Sequence, residues 1–100
     1  MLTKDHILEI LRAHHTYLVS EYGIKRIGIF GSYAKRAQHD TSDIDVIAEF
    51  DRPLGLKFVE FTEYLESLFG KKADVLTPVG IQGIRNRQIA REIQETIVYV

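Results

Sequence analysis

The segment IGIFGSYAKRAQHDTSDIDVIAEF, residues 27–50, decides the fold, because two apolar runs enclose a polar stretch. The runs IKRIGIF and DIDVIAEF are rich in β-branched residues and predict two strands. Between them, SYAKRA predicts a short helix and QHDTS a polar loop. The second run begins with two carboxylates, Asp43 and Asp45, which an apolar strand of a small protein should avoid. Their presence calls for an explanation.

The rest of the chain predicts helices around these strands. Apolar residues at helical spacing predict one helix from Lys4 to Tyr22, with Thr3 as its N-cap and Gly23 as its stop. LKFVEFTEYLESLF predicts an amphipathic helix, ADVLT a third strand stopped by Pro78, and GIRNRQIAREIQET a last helix. The final IVYV is either a terminal strand or the frayed end of that helix. This order predicts an α/β (α+β) fold, a sheet covered by helices.

Composition narrows the class of protein. At 100 residues, we expect a single domain spanning residues 1–100. A net charge of -1 predicts no direct nucleic-acid binding, and no apolar run approaches the ~20 residues of a membrane span. Absence of cysteine excludes disulfides and cysteine-based zinc sites. The N-terminus lacks the pattern of a signal peptide, so we expect a cytoplasmic protein.

The carboxylates predict a cluster at one edge of the sheet. Asp43 and Asp45 are two residues apart, so in a strand they share one face, where their charges repel unless a cation neutralises them. Asp74 opens the third strand, and three carboxylates converge if the strands are neighbours. Such clusters suit magnesium and can bridge two ions about 3.5–4 Å apart for phosphoryl transfer. Alternatively, Asp43 caps the strand, while Asp45 and Asp74 are ordinary solvated residues at strand ends.

Gly31-Ser32 stands where a strand meets a helix. Glycine lets the backbone approach a ligand, and the unpaired N–H groups at a helix start favour a phosphate. A lone Gly-Ser pair is more often a turn with serine as the cap. Here, however, ten residues separate the pair from Asp-x-Asp, and chance matches to this spacing are on the order of one in a thousand. The combination therefore favours a phosphate-and-metal site.

These residues resemble the signature of the DNA polymerase beta-like nucleotidyltransferases. That signature has an apolar residue with Gly-Gly or Gly-Ser, a short spacer, and Asp-x-Asp or Asp-x-Glu between apolar residues. Residues 30–32 (Phe-Gly-Ser) and 43–46 (Asp-Ile-Asp-Val) match it, and Asp74 in KKADVLTP matches the third family carboxylate. The whole chain is similar to the minimal nucleotidyltransferases (MNT proteins), which implies a small mixed β-sheet packed by helices. GSYAKRA departs from the Gly-Ser-x-Ala-Arg-Gly-Glu of many members, with Ala37 after the basic pair.

The resemblance implies a magnesium-dependent transfer of a nucleoside monophosphate, with ATP as substrate and two magnesium ions. The implied catalytic and metal-binding residues are Asp43, Asp45 and Asp74, and the implied nucleotide-binding residues are Gly31, Ser32, Lys35 and Arg36. MNT proteins are paired as antitoxins with HEPN-domain toxins. The implied activity is therefore transfer of AMP to a tyrosine of a HEPN RNase toxin, in a type VII toxin–antitoxin pair. The implied partner is that toxin, in a homo- or hetero-oligomer.

Several alternatives stay open at the level of sequence. Lys35 and Arg36 either assist with triphosphate charge or form a solvated helix face, and Tyr33 either stacks on a base or becomes a self-modification target. The basic stretch of the last helix, with Arg85, Arg87 and Arg91, is either solvated or meets an acidic partner or RNA. Two other functions compete: a non-catalytic antitoxin that neutralises its partner by contact, and a nucleotidyltransferase for a small-molecule acceptor.

Overall fold

The computed structural model describes residues 2–100, which form a four-stranded sheet flanked by helices. In chain order the elements are α1 Lys4–Ala13, α2 His15–Tyr22, β1 Ile24–Phe30, α3 Gly31–Ala34, β2 Ile44–Phe50, α4 Lys57–Phe69, β3 Ala73–Leu76, α5 Pro78–Gln82, α6 Arg87–Thr96 and β4 Val98–Tyr99. The predicted strands β1, β2 and β3 are confirmed, and the C-terminal segment forms a short strand rather than a frayed helix end.

The sheet has the strand order β3-β2-β1-β4 and is mixed. β1 is antiparallel to both β2 and β4, whereas β2 and β3 are parallel. A parallel pair needs a long crossover connection, and α4 lies in that connection between β2 and β3. The predicted class, a small mixed sheet packed by helices in an α/β (α+β) fold, is confirmed.

The two faces of the sheet carry different clusters of apolar side chains. Alternate residues of β2, including Val46 and Ala48, face a large core formed with α1, α2 and α4. The buried members from these helices are Ile7, Leu8, Leu11, Leu18, Tyr22, Phe61, Leu65 and Phe69. On the opposite face, Phe30, Ile47 and Ile81 form a smaller cluster against α5 and α6. This second face, covered by less apolar surface, is the one that carries Asp45.

Outside the turn at Gly31, the helices differ from the sequence prediction at two points. The predicted helix from Lys4 to Tyr22 is broken at His14, whose backbone leaves helical values at φ -104° and ψ 6°. Apolar periodicity does not reveal this break, because α1 and α2 both direct apolar residues to the same core. The second difference is α5, a helix that we did not predict, which begins with Thr77 as N-cap and Pro78 in its first turn. The last helix accordingly starts at Arg87 and not at Gly83.

Predicted helix ends are confirmed where capping chemistry is specific. The Thr3 hydroxyl accepts a hydrogen bond from the His6 N–H at 3.2 Å, as an N-cap should. Gly23 and Gly70 end α2 and α4 in the left-handed conformation, at φ 71° and 70°. Within residues 2–100, every helix is too short or too polar to cross a lipid bilayer.

Candidate active site

The predicted carboxylates lie at one end of the sheet, where β1 ends and β2 and β3 begin. Antiparallel pairing places Phe30 opposite Asp45, and parallel pairing places Asp45 beside Asp74. Residues that pair directly across strands share a face of the sheet, so Asp45 and Asp74 project to the same side. Asp43 lies just before β2, and its charge acts on Asp45. The fold therefore brings together three carboxylates that the sequence separates by up to 31 residues.

The fold raises the pKa of Asp45. Burial raises the pKa of Asp45 to about 6, and repulsion by Asp74 and then by Asp43 adds to the rise. Asp45 is partly buried, whereas Asp43 and Asp74 are exposed, which explains why the effect falls on Asp45. None of the ion pairs found within residues 2–100 involves any of the three. The protein leaves this negative charge uncompensated, and a cation would relieve it.

Gly31 joins the Gly-Ser motif to the carboxylates. Its backbone has φ +70°, a conformation that side-chain-bearing residues rarely adopt. A Cβ atom at this position would collide with the Asp45 carboxylate, with Oδ2 as the nearest atom. The backbone angle favours glycine here, and a larger residue would also force the Asp45 carboxylate to move. This contact explains physically why the two halves of the motif occur together.

The helix after Gly31 is shorter than the sequence predicted. SYAKRA predicts a helix, but α3 contains only four residues, Gly31–Ala34. The chain leaves helical geometry at Arg36, which has φ 59°. A helix this short has a small dipole, so its contribution to anion binding comes mainly from the first-turn N–H groups, which lack intrahelical acceptors. The N-cap residue, Phe30, has no side chain that could accept hydrogen bonds from these N–H groups. Ser32, which is partly buried, contributes one of the N–H groups and a hydroxyl.

The residues beside this turn have distinct environments. The Arg36 guanidinium lies 3.3 Å from the Asp5 carboxylate of α1, on the exposed surface. Lys35 is exposed and takes part in no ion pair found within residues 2–100. Tyr33 is only 1% exposed and packs in the large core. The structure corrects both suggestions for Tyr33, because a ring enclosed by the core can neither stack on a base nor accept a nucleotide.

Three positioning contacts at this edge are not predicted by the sequence. The Lys71 ammonium donates to the Asp40 carbonyl at 2.6 Å, and the Ile44 N–H donates to the Lys72 carbonyl at 3.0 Å. Together they hold the loop before Asp43 against the turn before Asp74. Glu66 of α4 accepts a hydrogen bond from the Ala73 N–H at 2.9 Å and so fixes the start of β3. No local pattern reveals these contacts, because each joins residues that become neighbours only in the folded chain.

The donor set fits magnesium in chemistry. Carboxylate oxygens are hard ligands, and magnesium typically takes one or two carboxylates with water and substrate phosphates at its other positions. Within residues 2–100, no group of three or more acidic, histidine or cysteine side chains lies close enough together to hold a metal ion. The type of donor atom, and not a preformed cluster of ligands, is therefore what points to magnesium.

The carboxylates lie on an open surface. Two cavities formed by the described residues are lined by other side chains: one of about 410 Å³ follows the far end of β2, lined by Phe50, Pro53 and Pro78, and one of about 590 Å³ follows α6. Asp43 and Asp74 are both exposed. An acceptor could therefore reach Asp43 and Asp74 directly from solvent.

Comparison with known proteins identifies the family. The sequence model of the family described as "Nucleotidyltransferase domain" matches residues 11–100. The chain is 40% identical to "Putative protein adenylyltransferase MJ1217" of Methanocaldococcus jannaschii, with complete coverage of both chains. It is 37% identical to "Protein adenylyltransferase MntA" of Thermococcus cleftensis, covering 100% of this chain and 98% of the relative.

A solved structure gives the same result for the fold. The chain is similar to a chain of a structure described as "Crystal structure of the toxin-antitoxin with AMP-PNP". The TM-score is 0.63 at 20% identity, covering 98% of this chain and 72% of the other. A structure described as "Structure of putative minimal nucleotidyltransferase" is 27% identical, with a TM-score of 0.64, covering 91% of this chain and 93% of the other. The chain therefore belongs to the nucleotidyltransferase domain family, as its resemblance predicted, and it has the fold and the enzyme class of that family.

Proposed function

We propose that this protein transfers AMP from ATP to a tyrosine of a HEPN-domain RNase toxin, and so acts as the antitoxin of a type VII toxin–antitoxin pair. The observation that carries the proposal is the pairing of Asp45 with Asp74 across β2 and β3, with Gly31 against the Asp45 carboxylate. Relatives named protein adenylyltransferase and a similar toxin–antitoxin structure with AMP-PNP support it. Because ATP is an intracellular substrate, we place this activity in the cytoplasm.

Each residue of the proposed site has a role that follows from its position. Asp43 and Asp45 would hold two magnesium ions, and Asp74 would share the ion nearer the acceptor. When bound, magnesium supplies positive charge against the triphosphate and lowers the pKa of a coordinated hydroxyl. The Gly31 N–H and the Ser32 hydroxyl would hold the β- and γ-phosphates by hydrogen bonds. Lys35, exposed beside them, would add charge complementarity.

The proposed reaction is an in-line displacement at the α-phosphorus. The acceptor oxygen forms a bond to this phosphorus, and the bond from the phosphorus to the oxygen bridging the α- and β-phosphates breaks. Pyrophosphate leaves with the bridging oxygen, and the hydroxyl proton passes to water at the open edge. The protein contributes positioning and charge placement, which dominate catalysis of phosphoryl and nucleotidyl transfer.

The open site favours a protein acceptor over a small molecule. Asp43 and Asp74 are both exposed, and the cavities of about 410 and 590 Å³ are lined by other residues, so we expect few contacts to a small acceptor at this edge. A folded partner would supply its own binding surface and present the hydroxyl. The non-catalytic alternative accounts less well for three aspartates without an ion-pair partner beside Gly31, whose positive φ favours glycine. An antitoxin that neutralises its toxin by contact alone would not require this arrangement.

Label transfer tests this proposal against its alternatives. The chain is co-expressed with the protein encoded beside it, and the purified pair is incubated with magnesium and ATP labelled at the α-phosphorus. We expect the partner to gain mass in steps of one AMP and to lose RNase activity, and Asp45→Asn to abolish both effects. Loss of RNase activity without label would establish the contact-only alternative. Label in the partner at the wild-type rate with Asp45→Asn would refute the assignment of the site.

A further inference from the structure

β3 is an edge strand of the sheet, and its first half carries Asp74. In a strand, the backbone N–H and C=O groups of one residue point to one side, and those of the next residue point to the other side. In an edge strand, every second residue therefore hydrogen-bonds the neighbouring strand, and the residues between them point away from the sheet. The Ile44 N–H donates to the Lys72 carbonyl at 3.0 Å, which sets the alternation. Asp74 and Leu76 then direct their backbone groups toward β2, whereas Ala73 and Val75 direct theirs away from the sheet.

The two outward-facing residues are treated differently by the fold. The Ala73 N–H is capped by Glu66 Oε2 at 2.9 Å. No hydrogen bond within residues 2–100 links the Val75 N–H or C=O to another element. Its side chain packs partly against the large core, which holds its backbone in place. Val75 thus presents one N–H and one C=O, fixed in direction and unpaired, which is what a further strand needs for pairing.

These unpaired groups lie next to the proposed catalytic carboxylates. A strand added at this edge would lie about 4.8 Å from β3. Its residue beside Asp74 would project to the same face as Asp74 and Asp45, since directly paired residues share a face. A tyrosine side chain is long enough to reach across one strand spacing. Its hydroxyl would then lie over Asp74, on the solvent side of the cluster.

The opposite edge of the sheet offers no equivalent position. β4 contains only Val98 and Tyr99, and two strands, β1 and β2, separate it from β3. The Arg26 guanidinium of β1 lies 4.6 Å from the centroid of the Tyr99 ring, so a basic side chain stands beside β4 where an acidic one stands on β3. A strand bound there would hold its side chains far from Asp74.

We propose that the β3 edge binds the acceptor segment in an extended conformation by strand addition, with the acceptor tyrosine beside Asp74. The proposal rests on the proposed function and specifies how that site recognises its substrate. Hydrogen bonds to the Val75 backbone would fix the position of the acceptor segment along β3, and the aspartate cluster would hold the ions needed for AMP transfer. The acceptor is therefore a flexible or edge-exposed segment of the partner, and a tyrosine fixed within a helix would not fit.

A proline substitution tests the edge directly. Val75→Pro removes the outward N–H, and an edge strand tolerates proline where the N–H faces solvent. Val75→Ala is the matched control, because it trims the side chain and keeps the N–H. The probe is a capped peptide that alternates threonine and valine around one tyrosine. We expect Val75→Pro to lower AMP transfer to this peptide at least tenfold, while Val75→Ala and the affinity for ATP with magnesium change less than threefold.

A second measurement uses the unaltered protein, in case Val75→Pro does not fold. Two peptides carry N-methyl groups on alternate residues, one set on each edge of the extended chain. Strand addition predicts that one methylated peptide loses transfer and the other retains it, because only one edge pairs with β3. Equal transfer to both methylated peptides and to the parent would overturn the proposal.

The failure of this proposal can be distinguished from the failure of the proposed function. If the wild-type chain labels its protein partner but never the extended peptide, strand addition is wrong and adenylyltransfer stands. If neither is labelled, the proposed function itself is wrong. Labelling of the peptide at equal rates by wild type and by folded Val75→Pro refutes strand addition alone.

Discussion

Replacing Asp45 by asparagine should stabilise the metal-free protein and abolish its response to magnesium. The pKa of Asp45 rises from 3.8 to about 6, mainly by burial, so the fold disfavours the charged form. At about 1.4 kcal/mol per pKa unit this amounts to ~3 kcal/mol at most. Because Asp45 is only partly buried, solvent screening reduces the expected gain to about 1–2 kcal/mol near pH 7.5.

The sign of the pH dependence follows from the raised pKa of Asp45. Between the unfolded value of 3.8 and the folded value of about 6, the folded state binds more protons than the unfolded state. The contribution of this carboxyl group to stability is therefore fully present below pH 3.8 and is lost as pH rises through about 6. Asp45→Asn has no such group, so its advantage over wild type should shrink as pH falls from about 7.5 to about 4.

Thermal unfolding with and without magnesium measures this prediction. A gain of 1–2 kcal/mol corresponds to roughly 4–16 °C in a domain of this size. Magnesium with a nonhydrolysable ATP analogue should raise the melting temperature of wild type and leave Asp45→Asn unchanged. Glu63→Gln is the control, since Glu63 is an exposed carboxylate of α4 that is not one of the three aspartates. Equal stability of wild type and Asp45→Asn near pH 7.5 without magnesium would refute the claim that Asp45 carries an uncompensated, partly buried charge.

Three further predictions concern the Gly-Ser turn. Gly31→Ala should abolish AMP transfer and lower the free energy of unfolding by about 2 kcal/mol or more. Gly55 is the control, because it has a similar φ of 58° but no atom within 4 Å of an added Cβ; Gly55→Ala should lose only about 1 kcal/mol in urea unfolding, from backbone strain. Lys35→Ala should raise the KM for ATP about tenfold in initial-rate assays. Arg36→Ala should raise it less, because Arg36 already pairs with Asp5. A larger rise of KM for Arg36→Ala than for Lys35→Ala would contradict these roles. Tyr33→Phe should transfer AMP at the wild-type rate, because its ring is buried in the core; a large loss of transfer in the same assay would restore a direct role for its hydroxyl.

The central strands could be predicted from sequence because their signals are local. β-branched runs bounded by glycine and polar residues indicate β1 and β2, and the spacing of Gly31-Ser32 from Asp43 and Asp45 indicates the site. The sequence could not predict which strands pair or in which register. The contact of Gly31 with Asp45 follows from the antiparallel register of β1 and β2, and the position of Asp74 follows from the parallel register of β2 and β3.

The errors have identifiable physical causes. The break at His14 is invisible to periodicity because α1 and α2 bury residues in the same core. α5 had a readable signal, Thr77 as N-cap followed by Pro78 in the first turn, which we interpreted only as a strand stop. The burial of Tyr33 depends on where the four-residue α3 packs, and no pattern within such a short helix decides which face turns to the core.

The most direct test of the account is the mass of the partner protein after incubation with ATP and magnesium. The partner is the protein encoded beside this chain, co-purified with it and treated with wild type or with Asp45→Asn. Intact-mass spectrometry should show addition of one or more AMP units with wild type and none with Asp45→Asn, although both proteins are folded. An unmodified partner with the folded wild-type chain, or equal modification by both, would contradict the account.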